Sequence, residues 1–332
     1  MYDLRADTPD GPAQVGRPGA HLRSLSPKGK TNREGQQPGQ GAARRIPVYT
    51  GRTDMIIDFH VHPLSWREGT PSLETFLLQF WNADELRELG AQCSTGRAFA
   101  QYLRGQGLDC AVILAENTPT TGVFDNEQVL ALCDGEDTLI PFGTVSPGMR
   151  HDLGGYVADL VARGLRGLKL YPTYNLFYPN DPMLYPVYER AQALGIPVMF
   201  HTGSSVFAGS RIKYGDPLFL DDVAVDFPQL KIVLSHAGRP FWFDHAEYLA
   251  RYRENVYLDI AGLPPKHLPN YLPNLARLTS KVVFGSDWPG VPGIAANLAE
   301  VRALPLPADA LARITGGNAA RILGIPDPPA AL

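Results

Sequence analysis

Imidazole and carboxylate side chains end four short apolar runs of the sequence, and both are side chains that bind metal ions. His60 and His62 close the first run, in DFHVH, and a spacing of two residues puts both rings on the same side of an extended chain. Later runs end in His201, His236 and Asp287. Such ligands suit a divalent ion such as zinc, iron or manganese, which acidifies water and polarises carbonyl groups. These residues therefore predict a site for one or two divalent metal ions per chain.

The other histidines give a weaker signal. A single histidine at a strand end is more often a hydrogen-bonded structural residue, and we assign that role to His245 and His267. His151 follows a Pro-Gly turn and is predicted to be exposed. Four of the eight histidines belong to the set at the strand ends, and this concentration favours a metal site over four separate structural roles.

Eight short runs rich in Val, Ile and Leu recur from residue 55 onwards, with helix-like segments between them. In order, they are MIIDFHVH, DCAVILAE, LIPFGTVS, LRGLKLYP, PVMFHTG, KIVLSHAG, NVYLDIAG and KVVFGSDWP. Runs of this kind are typical of parallel strands that are buried on both faces. Eight strand–helix units in series predict an α/β fold, a (β/α)₈ TIM barrel. A doubly wound open sheet is the alternative, but the G-x-G-x-x-G turn expected after its first strand is absent.

The barrel would place the ends of these runs on one face, where TIM-barrel active sites lie. The same face gives the candidates for substrate binding, which are Glu116, Tyr171, Tyr174, Arg239 and Trp288. Arg239 can bind a substrate carboxylate in a bidentate way, or it can pair with an acidic neighbour such as Asp244. Residues 63–108 form a long gap between the first two runs, so we expect an inserted helical segment over the mouth of the barrel.

Lys169 ends the fourth run, in LRGLKLYP. A lysine inside a barrel strand is costly unless it is paired or modified. It can carry a carbamate that bridges two metals, act as a cation toward a substrate carboxylate, or extend its amine to the surface. The residues alone leave these three interpretations open.

Composition excludes several classes of protein. A net charge of −4 over 332 residues argues against a nucleic-acid-binding protein, which usually has a basic face. No stretch approaches the ~18 apolar residues of a membrane span, and the N-terminus lacks the apolar core of a signal peptide. Three cysteines, without a C-x-x-C pair, indicate reduced and mostly buried thiols, so we expect a cytoplasmic protein. With nucleic acid and membrane excluded, we expect its partner to be a small-molecule substrate.

Residues 1–45 differ in texture from the rest of the chain. They are rich in Gly, Pro, Arg and Gln and contain few large apolar side chains. Such a segment cannot bury enough apolar surface to offset its ordering entropy, so we predict a disordered or docking tail. Residues 46–332 would then form the catalytic barrel.

The pattern resembles the amidohydrolase superfamily, and most closely its amidohydrolase-2 branch. The resemblance extends over residues 55–324 and rests on DFHVHP, LKLYP, FHTGS, SHAG, VYLDIAG, FGSDWP and TGGNAARILG. It implies that His60, His62 and Asp287 bind one metal. It also implies that a Lys169 carbamate bridges to a second metal, which His201 and His236 bind.

Some members of the branch are instead mononuclear decarboxylases or lactone hydrolases. In those, the fifth-strand histidine, here His201, joins the H-x-H pair on one metal, and the sixth-strand histidine, here His236, acts in acid–base catalysis. A lysine ligand is not part of that pattern, so Lys169 favours a binuclear hydrolase. Barrels of this kind often pair, so a homodimer is an open alternative to a monomer.

The resemblance leads to a metal-dependent hydrolase that cleaves an amide, lactone, ester or thioester bond of a small organic substrate. Asp287 would take a proton from water and pass it to the leaving group. Asp58 would orient a ligand histidine from behind, or it would only cap its strand end. The alternative function is a mononuclear decarboxylase of an aromatic or dienoic acid. A third hypothesis, a barrel that has lost catalysis and serves as a scaffold, conflicts with five intact candidate ligands.

Overall fold

The structure is a computed structural model that describes residues 55–64 and 69–326. The sequence predictions for residues 1–45 lie outside these ranges. Within them, no helix is both long and apolar enough to cross a membrane. All three cysteines are buried thiols.

Ten strands occur in the described residues. In chain order they are β1 (Ile57–Val61), β2 (Cys110–Leu114), β3 (Glu116–Thr118), β4 (Gly122–Phe124), β5 (Leu139–Gly143), β6 (Gly167–Leu170), β7 (Val198–His201), β8 (Ile232–Ser235), β9 (Val256–Asp259) and β10 (Val282–Val283). Eight of them form one parallel sheet in the order β1-β2-β5-β6-β7-β8-β9-β10. The ends of the sheet meet where Phe59 N donates to Phe284 O at 2.8 Å and His62 N donates to Trp288 O at 2.8 Å. The sheet therefore closes into the predicted TIM barrel, and each predicted run supplies one of its strands.

Helices lie between the strands of the barrel. In chain order they are α1 (Pro71–Leu77), α2 (Ala83–Gln92), α3 (Gly96–Gly105), α4 (Asn126–Cys133), α5 (Leu153–Ala162), α6 (Pro172–Asn175), α7 (Tyr185–Leu194), α8 (Leu220–Asp226), α9 (Phe243–Tyr252), α10 (Leu268–Tyr271), α11 (Ile294–Arg302), α12 (Ala308–Ala312) and α13 (Asn318–Leu323). Their starts follow the capping rules: Asn82 and Asp125 form capping boxes with Glu85 and Gln128. Thr70 caps α1, the first helix of the segment predicted over residues 63–108.

The interior of the barrel has an apolar layer near its amino-terminal end. The layer consists of Ile57, Phe59, Cys110, Val112, Leu114, Ile140, Phe142, Met199, Val233 and Val283. Phe59 and Phe142 meet edge to face, with ring centroids 5.6 Å apart. Helix α13 covers this end, where the carbonyl groups of Ile322 and Leu323 accept hydrogen bonds from Lys231 and Arg166. The layer is thus a packed core, as barrel interiors generally are.

Polar side chains begin about two residues further along the strands, toward their carboxyl-terminal ends. On β7, Met199 belongs to the apolar layer, and His201, two residues later on the same face, lies in the polar region. On β1, the pairing register against β2 shifts between Asp58 and Val61. This shift lets Phe59 stay in the apolar layer while the next residue, His60, faces the polar end. The local irregularity of β1 therefore places the H-x-H pair.

Candidate metal and catalytic site

Three side chains converge at the carboxyl-terminal end of β1 and beyond β10. The potential ligand atoms of His60, His62 and Asp287 all lie within 4.8 Å of one another. The two Nε2 atoms are 3.2 Å apart, and Asp287 Oδ1 lies 3.3 Å from His60 Nε2 and 3.6 Å from His62 Nε2. Two imidazole nitrogens and one carboxylate oxygen, aimed at a common point, suit a divalent metal ion.

A buried carboxylate holds His60 from the side away from this cluster. Asp259, the last residue of β9, places Oδ2 2.6 Å from His60 Nδ1. The contact directs the second ring nitrogen of His60 toward His62 and Asp287, as carboxylates behind metal-binding histidines do. Asp259 is not among the residues predicted from the sequence, although it ends its strand in VYLDIAG as the predicted site residues end theirs.

Asp58, the residue that we expected to orient a histidine ring, supports the backbone instead. Its Oδ1 accepts hydrogen bonds from the amides of His60 at 3.0 Å and Ser286 at 2.9 Å. Asp58 thus ties the end of β1 to the loop after β10, which is the strand-end role that we had named as its alternative. Burial raises the pKa of Asp58 to about 7, although the hydrogen bonds from Ser286 and His60 lower it.

His62 is the more exposed of the two histidines in the H-x-H pair. Its side chain is 22% exposed, whereas that of His60 is 1% exposed, and its Nδ1 lies 3.2 Å from Glu116 Oε2. Burial lowers the pKa of His62, but the carboxylates of Asp287 and Glu116 outweigh burial and raise that pKa to about 9. In contrast, burial holds the pKa of His60 well below its usual value. Without a bound metal, His62 is therefore protonated near pH 7 and His60 is neutral.

His201 and His236 line the same cavity on the side of β7 and β8. Their ring centroids are 4.9 Å apart, and the ring of His236 lies 5.0 Å from that of His60. Burial lowers the pKa of both His201 and His236 well below the usual range, so both are neutral near pH 7. His236 Nδ1 lies 2.8 Å from the carbonyl oxygen of Ala261, which leaves its Nε2 available as a base or a ligand.

Two of these residues have backbone conformations that non-glycine residues rarely adopt. The φ angles are +64° at His236, +46° at Ala237 and +66° at Asp287. Such conformations cost about 1–3 kcal/mol each and are concentrated at functional sites. The strain thus coincides with the two residues that the sequence assigned to catalysis.

Lys169 lies inside the barrel with its side chain fully buried. Its Nζ donates a hydrogen bond to Ser235 Oγ at 2.7 Å and lies 3.4 Å from His60 Nε2. Burial lowers the pKa of Lys169 to about 8, while the carboxylates of Asp259 and Asp287 oppose this shift. The amine faces the site, so of our three interpretations the surface-directed lysine is wrong. An amine with a lowered pKa remains compatible with both a cation and a carbamate.

Arg239 has a free guanidinium edge that faces the cavity. Its Nη1 donates to the carbonyl oxygen of Gly262 at 2.7 Å, and no described carboxylate, including Asp244, lies within ion-pair distance. Gly262 has φ +67°, and a Cβ there would lie 2.3 Å from Arg239 Nη1 and 2.9 Å from Asp287 Oδ2. Glycine at this position therefore lets the guanidinium and the carboxylate approach the same backbone.

The cavity above these residues has a volume of about 350 Å³ and is polar at its base and apolar at its mouth. All the candidate site residues line it except Trp288. The apolar lining comes chiefly from α1 and from the loop after β7, and comprises Leu64, Leu73, Phe76, Leu77, Phe80, Val206, Phe207 and Val291. Phe76 and Phe207 meet across the mouth with ring centroids 5.2 Å apart. The cavity thus suits a substrate with a polar reacting group and an apolar body.

The predicted aromatic contacts have separate roles. The Tyr171 hydroxyl donates to Ala115 O at 2.8 Å, and the Tyr174 ring packs 4.7 Å from the His201 ring, measured between centroids. Trp288 lies outside the cavity lining: its side chain is fully buried and packs on Phe99 and Tyr102. The reason is that Asp287 points into the barrel and its neighbour Trp288 therefore points outward, beneath α3. Its position indicates support of the loop that carries Asp287.

Comparisons with known proteins agree with this architecture. An uncharacterised TIM-barrel protein from Bordetella bronchiseptica is 25% identical, with a TM-score of 0.69, over 82% of this chain and 99% of that chain. A 5-carboxyvanillate decarboxylase from Sphingomonas paucimobilis is 19% identical, with a TM-score of 0.59, over 82% and 99% of the two chains. A probable 2-pyrone-4,6-dicarboxylic acid hydrolase from Acinetobacter baumannii is 16% identical, with a TM-score of 0.59, over 81% and 99%. The last two likenesses show the fold alone.

A match to a family extends over most of the chain. No curated protein matches the sequence. The amidohydrolase-2 family model, described as amidohydrolase, matches residues 57–325 and confirms the resemblance seen in the sequence. Together with the His60, His62 and Asp287 cluster, this match shows that the chain belongs to the amidohydrolase-2 family of metal-dependent TIM-barrel enzymes.

Proposed function

We propose that this enzyme is a metal-dependent hydrolase that cleaves an amide, lactone, ester or thioester bond of a small organic substrate. The observation that carries the proposal is the arrangement around Asp287. Its Oδ1 faces both imidazoles of the H-x-H pair, while its Oδ2 is directed toward Gly262 and the cavity. One oxygen can therefore serve as a ligand while the other accepts a proton from water.

His60, His62 and Asp287 would hold the metal, with His201 as a further nitrogen donor in the cavity. The bound ion would supply positive charge that polarises the scissile carbonyl group and acidifies water. Burial raises the pKa of Asp287, but the histidines around it outweigh burial and hold that pKa well below its usual range, and near pH 7 His62 is the protonated one among them. Asp287 is thus ionised at neutral pH and able to accept a proton. The neutral His236 provides a second place for a proton on the opposite side of the cluster.

Arg239 and Lys169 would orient the substrate. Both present a cationic or amine group to the cavity, and Arg239 lacks a carboxylate partner among the described residues. A carboxylate or carbonyl oxygen of the substrate would complete the hydrogen bonds of Arg239. The apolar lining of the mouth would bind the rest of the substrate and exclude water from it.

A decarboxylase is the second candidate, and the count of converging ligands favours it. Among residues 55–64 and 69–326, the ligand atoms that meet closely are those of His60, His62 and Asp287, which make one metal position. Lys169 Nζ donates to Ser235 Oγ and lies 3.4 Å from His60 Nε2, so hydrogen bonds of an unmodified amine account for its position without a second metal. A single metal suits the mononuclear decarboxylases of the branch, and Arg239 would then hold the carboxylate of an aromatic or dienoic acid.

Isotope incorporation separates the two reactions. Metal-loaded enzyme is incubated in H₂¹⁸O with carboxylated lactones, esters, thioesters and amides, and in D₂O with aromatic and dienoic acids. Hydrolysis places one ¹⁸O atom in the acyl product, and this is the expected result. Release of CO₂, with a solvent deuteron on the carbon that lost it and no ¹⁸O in the other product, would support the decarboxylase instead.

A further inference from the structure

Glu116 is the first residue of the hairpin formed by β3 and β4, just after the barrel strand β2. Its Oε2 lies 3.2 Å from His62 Nδ1, and its side chain is 16% exposed. His62 Nδ1 is the ring nitrogen that faces away from the cluster, because His62 Nε2 is the atom that lies 3.2 Å from His60 Nε2. Glu116 therefore contacts His62 from behind, as Asp259 contacts His60.

Three threonines of the same hairpin fix the Glu116 carboxylate. The hydroxyl of Thr121 donates a hydrogen bond to Glu116 Oε1. Thr118 Oγ1 lies 2.6 Å from Thr121 Oγ1 and 3.2 Å from Thr120 Oγ1, and it also accepts from Thr121 N at 3.1 Å. The threonines are 3–4% exposed. Both oxygens of Glu116 thus have protein partners, so the carboxylate is already committed before any substrate enters.

The hairpin is itself attached to the segment that covers the cavity. Thr70, which caps α1, donates from N to Thr121 O at 3.0 Å and from Oγ1 to Thr120 O at 2.7 Å. Helix α1 supplies Leu73, Phe76 and Leu77 to the mouth of the cavity. The β3–β4 hairpin therefore both supports His62, through Glu116, and anchors helix α1, which lines the apolar mouth of the cavity.

We propose that Glu116 is a positioning residue of the metal site, which acts through His62. By accepting the Nδ1 proton, it selects the imidazole tautomer whose Nε2 lone pair faces His60 and Asp287. The threonine cluster keeps Glu116 in place, so each histidine of the H-x-H pair has its own carboxylate. This inference rests on the proposed metal dependence, and it replaces the direct contact with substrate that the sequence led us to expect of Glu116.

Zinc affinity of the metal-stripped, full-length protein tests this inference without any substrate. Competition against a chromogenic chelator gives the Zn²⁺ dissociation constant of wild type and of three variants: Glu116→Ala, Glu116→Gln and Thr121→Val. Glu300→Gln, at an exposed position of α11, is the matched control. Circular dichroism and the melting temperature of each apo protein show whether the variants fold.

Glu116→Ala is expected to weaken zinc binding by about tenfold to 100-fold, the usual loss when a partner behind a ligand is removed. Glu116→Gln can turn its amide oxygen to the Nδ1 proton, because the Thr121 hydroxyl can accept from its NH₂ group, so this variant should recover part of the loss. Thr121→Val removes one hydrogen bond to the carboxylate and should weaken binding by about twofold to tenfold. Glu300→Gln should bind zinc as wild type does.

The failures of the two proposals are distinguishable. A wild-type protein that binds no zinc would contradict the metal-dependent function as well as this role of Glu116. Zinc bound by wild type and equally well by a folded Glu116→Ala would overturn the positioning role alone. If Glu116→Ala does not fold, Thr121→Val decides, since it retains the carboxylate: unchanged zinc affinity there would reject the proposal.

Discussion

The two ends of the barrel interior are built from the same strands but differ in what they bury. The apolar layer near the amino-terminal end contains close-packed hydrocarbon and aromatic side chains. The carboxyl-terminal end buries ionisable groups such as His60, Lys169, His236 and Asp259 within the same narrow space. Two positions along a strand separate the two environments, as Met199 and His201 show on β7.

The contrast assigns stability and chemistry to different layers. The apolar layer needs only volume and shape, and apart from the Cys110 thiol its side chains have no polar group to satisfy. Several ionisable groups of the polar end have specific partners: Asp259 contacts His60, Glu116 contacts His62, and Ser235 accepts from Lys169. We therefore expect substitutions in the two layers to affect different measurements.

The largest effect should come from Asp287→Asn in the polar end. The variant keeps the shape of the side chain but loses the proton acceptor and one anionic ligand, so turnover should fall by at least about 10³-fold. The melting temperature of the apo protein should stay close to that of wild type. Initial rates on the substrate found by isotope screening give the measurement, and unchanged activity would remove Asp287 from the mechanism.

Phe142→Ala in the apolar layer should do the opposite. Phe142 is fully buried and packs on Phe59, so its truncation should lower the free energy of unfolding by about 3–5 kcal/mol. Zinc affinity of the protein that remains folded should stay within about twofold of wild type, since Phe142 does not line the site cavity. Denaturant unfolding and chelator competition check both statements. A tenfold loss of zinc affinity would mean that the two layers are coupled.

Asp259→Asn sharpens the comparison within the polar end. The carboxamide has nearly the same volume but can present its NH₂ group to His60 Nδ1, which would favour the wrong tautomer of the ligand histidine. Zinc affinity should fall by about tenfold to 100-fold, with little change in melting temperature. Wild-type affinity in this variant would show that Asp259 does not control the orientation of His60.

The smallest effect concerns pH and the metal-free protein. The folded pKa of His62 is about 9, above its ordinary value of 6.5, because Asp287 and Glu116 outweigh burial. A raised pKa means that the protonated ring stabilises the fold fully below pH 6.5 and that this contribution is lost as pH rises to 9. The stability difference between wild type and His62→Gln should therefore shrink across this window. Chemical denaturation of both proteins with chelator measures it, and a constant difference would contradict the assigned carboxylate contacts.

The sequence predicted the barrel well because the signal is repeated. Eight buried runs, with polar residues at the same end of several of them, defined both the sheet and the face that carries the site. Periodicity and strand-end position suffice for such a prediction. The positions of His60, His62, His201, His236 and Asp287 in one cavity follow from that rule alone.

The partners behind these residues were harder to predict, because they depend on the register between distant strands. Asp58 and Asp259 occupy similar strand positions and each accepts from the amide two residues ahead, yet of the two only Asp259 contacts the His60 ring with its second oxygen. The prediction that Trp288 binds substrate is wrong for a related reason. Adjacent residues on an extended segment point to opposite sides, so the neighbour of a site residue is usually buried elsewhere. The contacts of Glu116 could not be predicted without the β3–β4 hairpin, which brings its carboxylate to the Thr121 hydroxyl.

Metal content per chain is the first measurement to make on the site formed by His60, His62 and Asp287. Elemental analysis is carried out on wild type and on the His60→Gln/His62→Gln double variant, both purified without chelators. We expect at least about one equivalent of a divalent transition metal in wild type and a loss of that equivalent in the double variant. Two equivalents in wild type would favour a Lys169-bridged pair, and one would favour a single ion at the three-residue cluster. Metal-free but active wild type, or equal metal content in both proteins, would contradict a metal site at His60, His62 and Asp287.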